Sequence, residues 1–198
     1  MTGEINQQDL KEFYDKGILA FEKKNYDYAI EIFSQILSSK FDLLEARHYL
    51  HLSLKNKAGS VTPSFITNTL NSVNRFLGTL SAEALVKKGN VSEALERLEK
   101  ILVSNPGDTH TLKKISEILY KKDLIPHAVQ NLEEAKSIAP KDISVLKKLG
   151  EIYLRKEDYK NAKSNYETAL KINPGDTEVL RSLKNLDALG TIQREFGN

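Results

Sequence analysis

Asn105-Pro106-Gly107-Asp108-Thr109 recurs residue for residue as Asn173-Pro174-Gly175-Asp176-Thr177, 68 positions later. Midway lies Ala139-Pro140-Lys141-Asp142, so Pro106, Pro140 and Pro174 stand 34 apart. A fixed period of this length marks stacked supersecondary units, and it governs how each single residue is read. Between the prolines, each unit carries two helical patterns. In one unit Leu146, Leu149 and Tyr153 recur at helical spacing, a turn follows near Lys156-Glu157-Asp158, and Ala162, Tyr166, Ala169 and Leu170 mark a second amphipathic helix. Asp108, Asp142 and Asp176 each fall where a side-chain acceptor is needed by the first amides of the next helix. Asn90 with Glu93 has the spacing of a capping box.

With these residues in place, the unit from Ile143 to Asp176 resembles a tetratricopeptide repeat. The family pattern is a large residue, Leu-Gly, Tyr, Ala, an aromatic, Ala and Pro at set offsets. The unit offers Leu146, Leu149-Gly150, Tyr153, Ala162, Tyr166, Ala169 and Pro174. The preceding unit offers Leu112, Ile115-Ser116, Leu119, Ala128, Leu132, Ala135 and Pro140. Before it come Ala82, Leu85, Ala94, Leu98, Ile101 and Pro106, with Gly78 where a large residue is usual. At the start, Phe13, Gly17, Ala20, Ala29, Phe33 and Ile36 keep the register, and Phe41 replaces the proline. The small residues let paired helices approach and the large ones fill the space between them. One unit cannot bury its apolar face alone, so neighbours must stack.

The resemblance implies an all-α solenoid of antiparallel helix pairs, a right-handed superhelix of about eleven helices forming a single domain over 1–198. Its repeats would run over about 10–43, a degenerate 44–74, 75–108, 109–142 and 143–176, with a polar-faced cap helix over 177–189 ended by Gly190. The degenerate unit has His51 where a small residue is usual, and its pattern breaks from Lys57 to Thr62, the stretch expected to be most open to proteolysis. Pro63 suits the first turn of a new helix. Ser64 to Lys88 reads as two helices or one bent helix, with the break placed at Asn71 to Asn74. Ile192 and Phe196 lie beyond the cap, which suggests self-association through the C-terminal end or a longer array.

Composition narrows function. The 198 residues carry 29 basic and 27 acidic side chains, a formal charge of +2. That balance gives no strong handle on nucleic acid or an anionic membrane. There is no cysteine, hence no disulfide, thiolate metal site or cysteine nucleophile. No segment approaches the ~20 apolar residues of a membrane span, and the N-terminus lacks the basic and apolar regions of a secretory signal. A cytoplasmic location is expected. His48 and His51 lie three apart on a helix, but no carboxylate cluster completes a ligand set, so no metal is expected. Neither a phosphate-binding glycine loop nor a nucleophile elbow occurs. The expectation is a non-enzymatic chain with no catalytic residues and no cofactor.

In this family, partners usually bind the concave surface formed by the first helix of each unit. Here that register gives one ladder of Tyr14, His48, Thr79, Lys113, Lys147 and Arg181, and a second of Ile18, Leu52, Glu83, Glu117, Glu151 and Asn185. Phe21 and Tyr120 lie farther along the same faces. The expected partner-binding residues are Tyr14, Ile18, Phe21, His48, Lys113, Tyr120, Lys147 and Arg181. Against this, Lys113 with Glu117 and Lys147 with Glu151 have the spacing of ordinary surface pairs, and Tyr14 and Phe21 could pack on the second unit. Some relatives clamp the C-terminal carboxylate of heat-shock chaperones with a Lys and an Asn four residues apart; the corresponding first-unit pair here is Tyr14 and Ile18, so that clamp is not matched. The leading expectation is a protein- or peptide-binding scaffold of unspecified partner. The alternatives are a regulatory or targeting module of a longer enzyme and, disfavoured by the Glu83, Glu117 and Glu151 row, an RNA-binding helical repeat.

Overall fold

A computed structural model describes the backbone of residues 7–59 and 65–196 and the side chains of 8–59 and 73–188. Among the described residues the chain is all-α, with ten helices: α1 Gln7–Glu22, α2 Tyr26–Ser39, α3 Leu44–Ala58, α4 Phe65–Lys87, α5 Val91–Ser104, α6 Thr109–Lys121, α7 Ile125–Ile138, α8 Ile143–Arg155, α9 Tyr159–Ile172 and α10 Thr177–Phe196. Successive helices pack as antiparallel pairs. Two compact units divide the chain, residues 1–128 and 129–198, with the division inside α7.

The turn within a repeat is built the same way each time. Gly89, Asp123 and Glu157 all have left-handed φ, at 87°, 61° and 59°, and they stand one repeat length apart. Each is followed by an amide that bonds back to a carbonyl five residues earlier: Asn90 to Leu85, Leu124 to Leu119, Asp158 to Tyr153. This is the helix-terminating geometry that glycine favours, and the two non-glycine copies hold it at some steric cost. Lys24 (φ 59°) and the Asn25 to Ala20 bond repeat it in the first hairpin.

The first unit centres on Phe33, Ile36, Leu50, Leu54, Leu95, Leu98, Leu112, Ile115 and Leu119, all buried. In it α5 packs against α2 and α3 as well as α4. That explains the odd histidine of the degenerate repeat. His51 of α3 is buried and its Nε2 lies 2.7 Å from Glu99 of α5, while Arg47 donates to the other Glu99 oxygen at 2.8 Å. A small residue at 51 would leave that carboxylate short of a partner. In the second unit, Leu146, Ala162, Tyr166, Ala169, Val179 and Leu186 form the core. A Cβ on Gly150 would come within 2.6 Å of the Tyr166 ring.

Several expectations are corrected. Phe65–Lys87 is one helix, with no break at Asn71 to Asn74, which lowers the count from about eleven to ten. α10 does not stop at Gly190 but continues to Phe196, since a helix-interior glycine costs only about 1 kcal/mol relative to alanine. The side chains of Ile192 and Phe196 lie outside the described residues, as does Ser60 to Thr62 of the irregular stretch; α3 ends at Ala58, capped by Gly59 with φ 57°. Asp142 and Asp176 accept backbone amides of the following helix, at 2.9 and 3.1 Å. Asp108 stands at the same position without doing so, because its carboxylate is taken by the Thr111 hydroxyl (2.9 Å) and Arg75 (3.4 Å). The capping box at Asn90 is also unformed: Asn90 makes no side-chain cap, and Glu93 accepts from Arg97 instead.

Candidate protein-binding surfaces

The aromatic residues expected at the N-terminal end are partly consumed by packing. Tyr49 of α3 stacks on Phe33 at 5.6 Å, and Tyr14 and Phe21 of α1 meet its edges at 6.3 and 5.4 Å. Phe21 also lies 5.8 Å from Tyr26. Tyr14, Ile18 and Phe21 are left half-buried, so each still shows part of one side. Burial raises the Tyr14 hydroxyl above its usual pKa, with nearby Tyr49, Glu45 and Asp15 adding to the rise. His48 is exposed, its ring 5.7 Å from Tyr49. Tyr49 is the organiser of this cluster, and the repeat register did not single it out.

Farther along the first unit, a cleft of about 430 Å³ opens between α4 and α6. Arg75, Phe76, Thr79, Leu80 and Glu83 come from α4 and His110 from α6. Thr79 and Glu83 belong to the expected ladders; Phe76 and Leu80 were not anticipated, although their i, i+4 spacing with each other was visible. Lys114 closes the far end by pairing with Glu83 at 2.6 Å and Glu117 at 3.1 Å, and Lys121 holds the other Glu117 oxygen at 2.6 Å. Burial would raise Glu117, but Lys121 and Lys114 lower it on balance. Lys113 and Tyr120 are half-buried on the same helix.

In the second unit a cleft of about 600 Å³ opens between α8 and α10, with Tyr166 of α9 among its walls. Lys147 does not pair with Glu151 as its spacing suggested. It bonds Asp176 at 3.1 Å and also Glu178, and hydrogen bonds to both carboxylates raise its pKa. Glu151 instead takes Lys148 at 2.8 Å. Arg181 is exposed one turn along α10 from Glu178.

The two clefts occupy one place in the repeat. Ile143, Ser144, Lys147, Lys148, Glu151 and Glu178 line the second, and each stands 68 positions after Arg75, Phe76, Thr79, Leu80, Glu83 and His110 of the first. The same repeat position therefore carries Phe76 and Leu80 in one unit and Ser144 and Lys148 in the other. Among the described residues no group of three or more metal-ligating side chains occurs, and no helix is long and apolar enough to cross a membrane.

The family model of the tetratricopeptide repeat matches residues 143–176. That segment is a tetratricopeptide repeat, and the chain as a whole has the fold of a tetratricopeptide-like array. Solved structures of that fold are similar to it at low sequence identity. The first TPR of Spaghetti (RPAP3), determined bound to the HSP90 peptide SRMEEVD, is 15% identical with a TM-score of 0.54, covering 61% of this chain and 95% of its own. The Arabidopsis OM64 TPR domain is 16% identical at 0.52, covering 60% and 98%. The TPR domain of P58(IPK) is 16% identical at 0.52, covering 96% and 67%. No curated protein sequence matches the chain. At these identities the structures speak for the fold of this chain and not for its ligand.

Proposed function

We propose that this tetratricopeptide-repeat chain is a non-enzymatic scaffold that holds peptide segments of partner proteins in the clefts between successive first helices. The observation that carries the reading is the equivalence of the α4–α6 and α8–α10 clefts, two openings at the same repeat position that differ at Phe76 against Ser144 and Leu80 against Lys148. Phe76 and Leu80 suit an apolar side chain of the peptide, and Lys147, Lys148 and Glu178 suit polar or charged ones. Tyr14, Ile18, Phe21 and His48 extend the apolar end; Lys113, Tyr120 and Arg181 complete the set of contact candidates. The Spaghetti neighbour holds an HSP90 peptide, but Tyr14 and Ile18 do not match the Lys and Asn with which some tetratricopeptide repeats clamp chaperone tails, so the ligand proposed here is of another kind.

Selection from a random peptide library tests the proposal. Enriched peptides should bind the native chain, and Phe76→Asp, Lys148→Glu or both should weaken capture at least about tenfold while leaving the helical spectrum unchanged. Failure to enrich any peptide, or capture indifferent to both substitutions, would remove the clefts from the account. Salt-sensitive binding of random single-stranded RNA would favour the nucleic-acid reading instead.

A further inference from the structure

Helix α4 is apolar on two opposite sides. One side faces α5: Ala82 is buried, and a Cβ on Gly78 would come within 2.8 Å of Ile101. On the other side Val73, Phe76, Leu77 and Leu80 are 52, 68, 56 and 56% exposed. Single exposed hydrophobes are ordinary, but four large ones on one helical stripe form a contiguous patch of the kind that marks an interface. Val73, Leu77, Leu80 and Ala84 follow the 4-3-4 spacing of a heptad seam, with Phe76 alongside.

Charge limits what can cover the stripe. The chain is 28% charged, yet from Ala58 to Ala82 Arg75 is the sole charged residue. Arg75 lies off the seam and reaches Asp108 at 3.4 Å. Asn74 and Ser81 flank the seam on one edge and Phe76 on the other; Glu83, at the end, is held by Lys114. Such depletion of charge is characteristic of an interface core. A partner recognised by opposite charge would find no ion here to pair with. A twofold contact sets each residue near its own counterpart, so it tolerates only a face on which like charges do not meet. This face meets that condition.

We propose that α4 is a self-association surface on which a second copy of the chain docks, seam to seam, through Val73, Phe76, Leu77 and Leu80. A docked second copy and a cleft-bound peptide would compete for Phe76 and Leu80. Phe76 and Leu80 also line the α4–α6 cleft, whereas Leu77 does not, so Leu77 carries the test.

Sedimentation velocity of the full chain over a range of concentrations should show a monomer–dimer equilibrium. Leu77→Glu should raise its dissociation constant on the order of a hundredfold, because pairing would bury two unpaired carboxylates, while the helical spectrum and melting of the dilute protein stay unchanged. Because the chain lacks cysteine, Leu77→Cys supplies a single thiol for a second readout. Mild oxidation should link that variant into a dimer much faster than Val103→Cys, an exposed position on α5. A wild-type chain that stays monomeric throughout would overturn the proposal. So would a dimer indifferent to Leu77→Glu, or equal cross-linking at both thiols.

Discussion

Replacing Gly150 with alanine adds one methyl group at the tightest approach in the second unit. The new Cβ would stand 2.6, 2.7 and 2.8 Å from three ring carbons of Tyr166, nearer than carbon atoms can come. The obstacle is the body of the ring, so the whole side chain must move. Tyr166 is 5% exposed and packs among Leu146, Ala162 and Val179, so its movement disturbs the core on both sides. Overpacking of this kind costs about 1–3 kcal/mol. Alanine in a helix interior returns at most about 1 kcal/mol. The clash wins, and a net loss of about 1–2 kcal/mol is expected. Urea denaturation followed by helical circular dichroism measures it as a lower midpoint at unchanged slope. Gly107→Ala is the control: its nearest atom beyond the neighbouring residues is Asn105 Oδ1 at 4.0 Å, and its φ is not among the positive ones. That substitution should be neutral or stabilising by up to about 1 kcal/mol. If Gly150→Ala raises the midpoint as Gly107→Ala does, the close approach that defines the repeat register is wrong.

Ala162→Leu, at a fully buried position against the same core, should likewise lower the midpoint, by about 1–3 kcal/mol. Glu157→Gly should leave stability unchanged or raise it by up to about 1 kcal/mol, since φ of 59° disfavours a side chain; a clear loss in the same urea titration would contradict this. Burial alone would raise Glu99, but His51 and Arg47 bring its pKa to about 2. The folded value lies below the usual 4.5, so the carboxylate contributes stability that is complete above pH 4.5 and is lost as pH falls towards 2. Glu99→Gln should therefore cost about 3–5 kcal/mol at neutral pH by stranding Arg47, with the gap from wild type narrowing across that acid window. Lys147→Met should cost no more than about 1 kcal/mol, because Glu178 is exposed and Asp176 keeps the backbone amide of Val179 as a partner; a larger loss on urea titration would mean the Asp176 and Glu178 pairing organises α10.

The fold was legible because it repeats. Proline at 34-residue intervals and small residues at fixed offsets set the pairing of α8 with α9, and Gly150 against Tyr166 is the contact that pattern requires. What the pattern could not reach was anything set by departure from it. His51 looked like a misfit because its partner, Glu99, lies 48 positions away on α5. The continuity of α4 was obscured because Asn71 to Asn74 are weak helix formers whose propensity is a small term beside tertiary packing. At the candidate surfaces, register placed Thr79, Glu83 and Lys147 on cleft walls. It did not reveal that Lys147 is held by Asp176 and Glu178 from the next helix. Nor did it reveal Phe76 and Leu80, whose exposure depends on what stands beside α4.

The most direct test of the central claim, that equivalent clefts receive a partner's peptide, is amide chemical-shift mapping of the isotope-labelled chain titrated with a library-selected peptide. The account predicts that the largest saturable shifts fall on residues 75–83 and 110, on 143–151 and 178, or on both sets. Shifts concentrated instead on the outer faces of α5 and α9, with the two clefts unmoved, would contradict it.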